Sequence, residues 1–304
     1  MPPREKDSAV TVIVRTKNSE DTIGQALHSL HSQTYRDFDL LVVDSGSRDA
    51  TLEIVRRYPC RIVEIRPEDY YPGPVLNMAI SEARTDMVVF QNSDVVLLTR
   101  TALERLVEAV AGPDVHAAFG RQLPRPEALS MVRRDHAVAF PEDGPAPPWI
   151  PYSLPFAAMK KSAWLERAFY SSAWGSEDTE WGVRAREAGW SIRYIPEAAV
   201  MHSHNYTLRE LYGRSFIEGE ADAFIYGDAP SLRRSFGRAV SAAIRDLAWQ
   251  IPERAWSEAA AGPVRRAVSQ WGHYRGHLHG ASRLRSADDD VSVGQKVVLE
   301  RCHA

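Results

Sequence analysis

The first part of the chain alternates between runs of apolar residues and segments in which apolar residues recur at helical spacing. AVTVIVRT, from residue 9, is a β-branched run of strand length, and SEDTIGQALHSLHS follows it with apolar residues on one helical side. Three further pairs are FDLLVVD with SRDATLEIVRRY, CRIVEI with PGPVLNMAISEA, and DMVVFQNSD with TRTALERLVEAVA. Strands this continuously apolar are typical of sheets buried on both faces. The pattern predicts an α/β fold with a parallel sheet covered by helices.

Polar or aromatic residues follow each of these four strands. They lie at 16–18, 44–47, 67–71 and 92–94. In open parallel sheets ligands bind at the carboxyl ends of the strands, where loops and helix N-termini converge. We therefore expect a binding site at this edge of the sheet.

The regular alternation ends after about residue 121. The next stretch, to about residue 155, is rich in proline and charge and has no sustained period, so we predict a mobile loop that acts as a lid, or else an ordinary surface loop. Order resumes with an acidic helix start in GSEDTEWGVRAREAG, a short strand WSIRYIP and a long helix from Thr207 to about Tyr226.

Residues 231–280 have an amphipathic helical pattern, with arginines on one face and Trp, Leu and Ile on the other. Helices of this kind pack on the main domain or on a second copy of the chain, or attach to an anionic membrane surface. The pattern predicts two parts: residues 1–230 as the main α/β domain and residues 231–304 as a helical extension with a polar tail.

Composition narrows the functional classes. Of 304 residues, 44% are hydrophobic, which excludes a disordered chain, and 37 basic against 40 acidic residues leave no basic excess for nucleic-acid binding. The two cysteines, Cys60 and Cys302, fit neither a disulfide framework nor a zinc pattern, so a reducing cytoplasm is expected. We find no signal peptide and no apolar run of membrane-spanning length, which favours a soluble or peripheral protein.

Four polar features are candidates for the chemistry, and each has a structural alternative. Asp44 can accept the imide N–H of a pyrimidine ring or cap the next helix. Asn92, Ser93 and Asp94 offer oxygen ligands for a cation on a diphosphate, or simply form a polar strand exit.

Glu177 and Asp178 lie at a predicted helix start, where acidic residues also complement the helix dipole. His202 and His204 can reach a metal or a phosphate, or their pairing is incidental. The chain has no Gly-x-Gly-x-x-Gly after its first strand and no Gly-Lys-Ser/Thr loop. The sequence therefore disfavours a common dinucleotide-binding site and a P-loop nucleotide site.

The order of these features resembles inverting family 2 glycosyltransferases with the GT-A fold, and their rhamnosyltransferase-like members in particular. VIVRTKNSEDTIGQALHSLHSQTYRDFDLLVVDSGSRDAT is similar to the opening of that family. PGPVLNMAISEARTDMVVFQNSD resembles its Asn-containing helix and Asp-x-Asp strand, WGSEDTEWGVRAREAGW its acceptor motif, and VMHSHNYTLRELYGRSFIEGEADA its closing segment. The resemblance covers about residues 9 to 227. It implies a Rossmann-like, mainly parallel central sheet flanked by helices, with a C-terminal helical extension.

The resemblance also implies a role for particular residues. The donor residues are Thr16, Asn18, Asp44, Asn77, Asn92, Ser93 and Asp94; the ligands of a Mg²⁺ or Mn²⁺ ion are Asp94, His202 and His204; Glu177 belongs to the acceptor site, and Asp178 is the general base. Independently of the resemblance, Trp174 and Trp181 flank this acidic pair, and because indole faces stack on sugar rings, one of them is expected to line the acceptor site. Two departures from the family pattern are Asn92, at the first acidic position of Asp-x-Asp, and Leu76, where many members have arginine. For Trp181, core packing is the alternative.

The function implied is transfer of a sugar, with rhamnose on dTDP favoured and hexoses on UDP or GDP open, to a hydroxyl of a glycan, a lipid-linked acceptor or a small molecule. The alternatives are a nucleotide-sugar-binding regulatory protein without turnover, a nucleotidyltransferase and a structural interaction protein. No nucleic-acid partner is expected. The expected partners are a second copy of the chain, bound through the C-terminal helices, and the inner face of the membrane, in a peripheral contact.

Overall fold

The computed structural model describes residues 9–170 and 173–286. The described chain forms two compact units, the first from residues 9–123, 139–170 and 181–202, the second from residues 124–138, 173–180 and 203–286. The strands are β1 (Val10–Thr16), β2 (Phe38–Asp44), β3 (Arg61–Glu64), β4 (Met87–Asn92), β5 (Val96–Leu97), β6 (Val115–Leu123), β7 (Phe156–Lys160) and β8 (Ser191–Met201). The helices are α1 (Ile23–His31), α2 (Thr51–Val55), α3 (Pro72–Glu82), α4 (Ala102–Ala111), α5 (Ser130–Ala139), α6 (Lys161–Glu166), α7 (Glu177–Glu187), α8 (Leu208–Tyr226), α9 (Leu232–Gln250) and α10 (Trp256–Ser286), with a 3-10 turn at Pro67–Asp69.

The first unit contains one mixed sheet with the strand order β3-β2-β1-β4-β7-β6-β8-β5. Strands β1 to β4 pair in parallel, as their apolar runs predict. β7 is antiparallel to both β4 and β6, β8 is parallel to β6, and β5 is antiparallel to β8. Parallel pairing therefore predominates, and the predicted Rossmann-like sheet is confirmed.

Both faces of this sheet are buried, because alternate residues of each strand enter different clusters. Val12 and Val14 of β1 pack in one cluster with α1 and α4, whereas Ile13 packs in the other with α3. Strand β2 divides in the same way, with Val42 on the first side and Val43 on the second. Side chains that alternate between two covered faces explain why these strands are apolar throughout.

The stretch predicted as a loop after residue 121 contains regular structure, and that prediction is wrong in this part. β6 extends through Leu123, and α5 occupies Ser130–Ala139. Only Ser130 and Met131 of α5 are buried, and the rest of the helix is rich in charge. A helix with so small an apolar face gives no periodic signal in the sequence. The strand predicted as WSIRYIP is also longer, since β8 ends at Met201.

The helices predicted after residue 207 are confirmed as α8, α9 and α10. Thr207 caps α8 with a capping box that includes Glu210, and Gly227 ends the helix with a φ of 64°. Helix α8 lies directly against α10, since a Cβ added at Gly276 would overlap the carbonyl oxygen of Phe216. Among the described helices, none has the length and apolar content needed to cross a membrane. The boundary at residue 230 stays a prediction.

Candidate functional site

Several predicted donor residues lie at one edge of the sheet, where neighbouring parallel strands end. Thr16, the last residue of β1, pairs with Asp44, the last residue of β2, and Arg15 pairs with Asn92 at the end of β4. β8 runs in the direction of β4, because β7 is antiparallel to β4 and to β6, and β6 is parallel to β8. The residue after β8, His202, therefore reaches the same edge.

The carboxylate of Asp44 organises the turn that follows β2. It accepts hydrogen bonds from the backbone N–H of Gly46 at 2.9 Å and of Ser47 at 2.8 Å, and from the Ser47 hydroxyl. Gly46 has a φ of 81°, and a Cβ there would lie 2.7 Å from Cγ of Pro67, so only glycine fits. Asp44 is fully buried and closes this turn instead of capping α2. Asp44 is thus held in place by the protein itself, and its contact with a nucleotide stays a prediction.

The turn after β1 is joined to the turn after β2 through Asn18. Its backbone N–H donates to the Ser47 hydroxyl at 2.9 Å, and its side-chain oxygen accepts from the backbone N–H of Arg48 at 2.9 Å. Asn18 has a φ of 45°, in the left-handed region, which asparagine tolerates better than most residues. Such backbone strain concentrates at functional sites, where the surrounding contacts hold it in place.

Ser19 extends this network to β4. Its backbone N–H donates to the Thr51 hydroxyl at 2.6 Å, and its hydroxyl lies 3.1 Å from the Ser93 hydroxyl. Ser93 directly precedes Asp94 on the chain. The positions of the three strand exits are thus fixed relative to one another by side-chain hydrogen bonds.

A carboxylate and an imidazole meet at this edge. Nε2 of His202 lies 3.7 Å from Oδ2 of Asp94, and possible ligand atoms of the two residues lie within 4.8 Å. Nδ1 of His202 lies 2.8 Å from Oε1 of Gln122, whose Nε2 donates to the Ser153 hydroxyl at 2.8 Å. With Oε1 of Gln122 facing the ring, Nδ1 of His202 is the donor of this hydrogen bond and carries the proton. Nε2 then presents a lone pair toward the side of Asp94.

This pair fits a divalent cation. Carboxylate oxygen is the preferred ligand of Mg²⁺ and Mn²⁺, and a neutral imidazole nitrogen whose other N–H is hydrogen-bonded is typical of metal-bound histidine. His204, the third predicted ligand, lies two residues beyond His202 in the second unit, where its ring contacts Tyr206.

Asn77 is held by the protein itself. Its side-chain oxygen accepts from the indole N–H of Trp164 and from the backbone N–H of Phe169, both at 2.9 Å, and its Nδ2 donates to the Phe169 carbonyl at 2.9 Å. These bonds tie α3 to α6 and to the segment that follows α6. The geometry gives Asn77 a positioning role, and its direct contact with a donor stays a prediction.

The predicted acceptor residues differ in their surroundings. Trp181 is fully buried in the core, with its indole N–H donating to the Arg167 carbonyl at 2.9 Å and its ring 5.1 Å from that of Tyr152. This corrects the expectation that Trp181 contacts an acceptor, because its ring has no face open to a sugar. Trp174 and Glu177 belong to the second unit, where both are nearly buried.

The predicted base, Asp178, stands in the first turn of α7, after an unusual backbone. Gly175 has a φ of 109° and Ser176 a φ of 56°, a left-handed conformation that serine rarely adopts. Desolvation lowers the pKa of Arg214, but the charges of Glu218 first, then of Tyr206, Glu177 and Asp178, outweigh it and hold that pKa above its usual value. Arg214 therefore supplies positive charge to the acidic start of α7.

Sequence reasoning missed two residues of this edge, Gln122 and Ser19. Gln122 stands near the end of β6, a strand that was not recognised, so its place at a strand exit gave no signal. Ser19 was visible as a polar residue beyond β1. Its contact with Ser93 depends on the pairing of β1 with β4, which one sequence does not reveal.

Comparison with known proteins supports both the fold and the family. The chain is 29% identical over 243 residues to the O-antigen chain rhamnosyltransferase RfbN of Salmonella typhimurium, covering 76% of each chain. A mannosyltransferase from Pyrobaculum calidifontis, solved with GDP-Man and Mn²⁺, has a TM-score of 0.60 at 20% identity and covers 94% of this chain and 89% of its own.

Glucosyl-3-phosphoglycerate synthase of Mycobacterium tuberculosis, solved with Mn²⁺, UDP and phosphoglyceric acid, has a TM-score of 0.52 at 19% identity, covering 72% and 79% of the two chains. These likenesses confirm the expected GT-A fold. Residues 11–172, more than half of the chain, match the profile described as Glycosyl transferase family 2. The protein is therefore a glycosyltransferase, and the chain belongs to glycosyl transferase family 2.

Proposed function

We propose that this glycosyltransferase moves rhamnose from a nucleoside diphosphate to a hydroxyl acceptor with inversion at the anomeric carbon. The observation that carries the proposal is the meeting of Asp94 and His202 at the sheet edge formed by β1, β2 and β4. The rhamnosyltransferase relatives support the choice of sugar. dTDP is the proposed carrier, and UDP and GDP are the alternatives to be tested beside it.

Thr16, Asn18 and Asp44 are proposed to bind the nucleoside. Asp44 is fixed by its own turn, so its remaining acceptor sites have a defined direction, and a pyrimidine imide N–H is a matching donor. Asn92, Ser93 and Asp94 follow β4 and are proposed to lie against the diphosphate. Because the turns are already joined by hydrogen bonds, little conformational freedom is lost when the donor binds.

A divalent cation, Mg²⁺ or Mn²⁺, is the proposed cofactor, with Asp94 and His202 as its protein ligands. When bound, it stabilises the negative charge that develops on the departing diphosphate. Gln122 is proposed to orient His202 through its hydrogen bond with Nδ1, so that Nε2 faces the side of Asp94. The role of His204 as a further ligand stays a prediction.

Asp178 is the proposed general base. It accepts the proton of the acceptor hydroxyl while that oxygen forms the new bond to the anomeric carbon and the bond to the diphosphate breaks. A single displacement of this kind inverts the anomeric centre and requires no covalent intermediate on the protein. Trp174 and Glu177 are proposed to contact the acceptor. A cytoplasmic location and a homodimer through the C-terminal helices also stay predictions.

The test is release of nucleoside diphosphate from dTDP-rhamnose, with UDP- and GDP-linked sugars in parallel, in the presence of Mn²⁺ and a panel of hydroxyl acceptors. Asp178→Asn should lower kcat by about 10²- to 10⁴-fold with unchanged donor affinity. Glu187→Gln, at the exposed end of the same helix, is the matched control and should keep full activity. Donor binding without turnover by the unaltered protein would indicate a regulatory binder and overturn the transferase proposal.

A further inference from the structure

Helix α9 exposes a row of large apolar side chains to solvent. Leu232, Phe236, Val240 and Ile244 follow one another at intervals of four residues, so they are neighbours along the helix surface. All four are exposed, Phe236 by 70% and Ile244 by 61%. These four side chains form a continuous apolar patch, whereas single exposed apolar residues scattered over a surface need no explanation.

The same helix carries basic residues and leaves no acidic residue at its surface. Arg233, Arg234, Arg238 and Arg245 are all exposed. The acidic residue of α9, Asp246, is buried and paired with Arg134 and Arg266. Arg234 also pairs with the exposed Asp228, just before the helix. The exposed surface of α9 therefore combines apolar side chains with a positive charge.

We propose that this surface of α9 docks on an anionic lipid surface as a peripheral contact, with the apolar row at the level of the acyl chains and the arginines among the phosphates. The apolar residues of such a helix insert into the boundary between headgroups and acyl chains, and its arginines are attracted to anionic headgroups. Long arginine side chains can reach the headgroups from a helix lying in the interface. The proposal concerns binding and goes beyond the sugar transfer.

Charge favours a lipid surface over a second copy of the chain. If two α9 helices paired about a two-fold axis, neither copy would offer an exposed carboxylate of α9 to the arginines of the other. Two such helices would bring like charges together, whereas an anionic surface attracts the exposed arginines, of which Arg233, Arg238 and Arg245 are not in the pair with Asp228. The absence of exposed acidic side chains on the described surface of α9 leaves no complementary group for such pairing within the helix.

The experiment is co-sedimentation of the full chain with phosphatidylcholine vesicles and with vesicles of equimolar phosphatidylcholine and phosphatidylglycerol. The protein should bind the anionic vesicles and dissociate as salt is raised, because salt screens the arginines. Phe236→Ser with Ile244→Ser should lower the partition coefficient by about tenfold or more. Arg238→Ser with Arg245→Ser should lower it by about fivefold for each arginine removed.

Leu165→Ser with Arg105→Ser is the matched control, since it removes an exposed apolar and an exposed basic residue from the first unit. It should leave vesicle binding unchanged. The proposal would be overturned if the α9 variants bound anionic vesicles as well as the unaltered protein does. It would also be overturned if the protein bound neutral and anionic vesicles equally, or formed a salt-resistant dimer and bound no vesicles. Nucleoside diphosphate binding, measured in the same samples, separates this outcome from failure of the proposed sugar transfer.

Discussion

In the sheet of the first unit, apolar side chains lie inside and polar ones gather at the strand ends, whereas α8 to α10 bury charged residues beside apolar ones, and α9 exposes a row of apolar side chains. Val12, Val42 and Val89 are typical of the sheet interior. In the second unit Asp246 is 1% exposed, and Glu220 is fully buried beside Arg283. Burying charges requires exact partners, so the helices should be more sensitive to loss of a single polar group than the sheet.

The largest effect on the second unit is expected from Asp246→Ala. Asp246 accepts from Nε of Arg266 at 2.6 Å and from Arg134 at 3.1 Å, and its loss leaves two arginines without this partner. We expect the free energy of unfolding to fall by about 3 to 5 kcal/mol. The comparison is with Glu53→Ala, which breaks an exposed pair with Arg57 and should cost about 0.5 kcal/mol or less. Urea unfolding measures both variants. Similar losses in the free energy of unfolding would show that the buried ion pair is no more sensitive than the exposed one.

A smaller effect follows from the close approach of α8 and α10. Gly276→Ala introduces a Cβ that overlaps the backbone carbonyl of Phe216, so the helices must separate, at a cost of about 1 to 3 kcal/mol. Gly237→Ala is the matched control in α9, where nothing lies within 4 Å of the new Cβ. It should be neutral or stabilise the protein by about 1 kcal/mol through helix propensity. If both variants unfold at the same temperature, the close packing does not contribute.

At the sheet edge, the corresponding change is Gln122→Leu. Removal of the acceptor for Nδ1 of His202 frees the ring to change tautomer and orientation. We expect the Kd for Mn²⁺, followed by electron paramagnetic resonance of the free ion, to rise about 10- to 100-fold with little loss of stability. Gln122→Glu retains an acceptor and should bind Mn²⁺ more tightly than the leucine variant. Unchanged affinity in both variants would show that Gln122 does not position His202.

The smallest effect concerns Asp49, which joins the turns after β1 and β2. Burial raises its pKa, but hydrogen bonds from the side chain and backbone of Thr51 and the backbone of Glu20 outweigh burial and hold the pKa below its usual value. A lowered folded pKa means that this stabilisation is present above the unfolded pKa of about 3.9 and is lost as pH falls through the folded value. Asp49→Asn should cost about 1 kcal/mol at neutral pH. The difference in the free energy of unfolding between the two proteins should become smaller as the pH falls. A constant difference between pH 7 and 3 would contradict the lowered pKa of Asp49.

The sequence predicts the two regions unequally, and the reason is physical. β1, β2 and β4 are readable because burial on both faces requires continuous apolar residues. The helical character of 231–280 was also readable, but the pattern does not reveal which side packs. Phe236 and Ile244 look like core residues and are exposed, whereas Gly276 and Asp246 look unsuited to a core and are buried.

The site shows the same limit at the level of single side chains. Asp44, Asp94 and His202 follow apolar strands and could be identified as strand-exit residues, and register brings them to one edge. The hydrogen bond between Asn77 and Trp164 and the burial of Trp181 depend on tertiary packing. No local pattern distinguishes an asparagine or a tryptophan in these positions from one that binds a ligand.

The sheet edge is proposed to bind a nucleoside diphosphate with a divalent cation on Asp94. Isothermal titration of dTDP, UDP and GDP, each with and without Mn²⁺, tests it directly. We predict binding of one of these nucleotides that needs Mn²⁺, is lost in Asp94→Asn and persists in Asp178→Asn. Absence of binding to all three nucleotides at saturating Mn²⁺, or equally tight binding by Asp94→Asn, would show that this edge is not a metal-dependent nucleotide site.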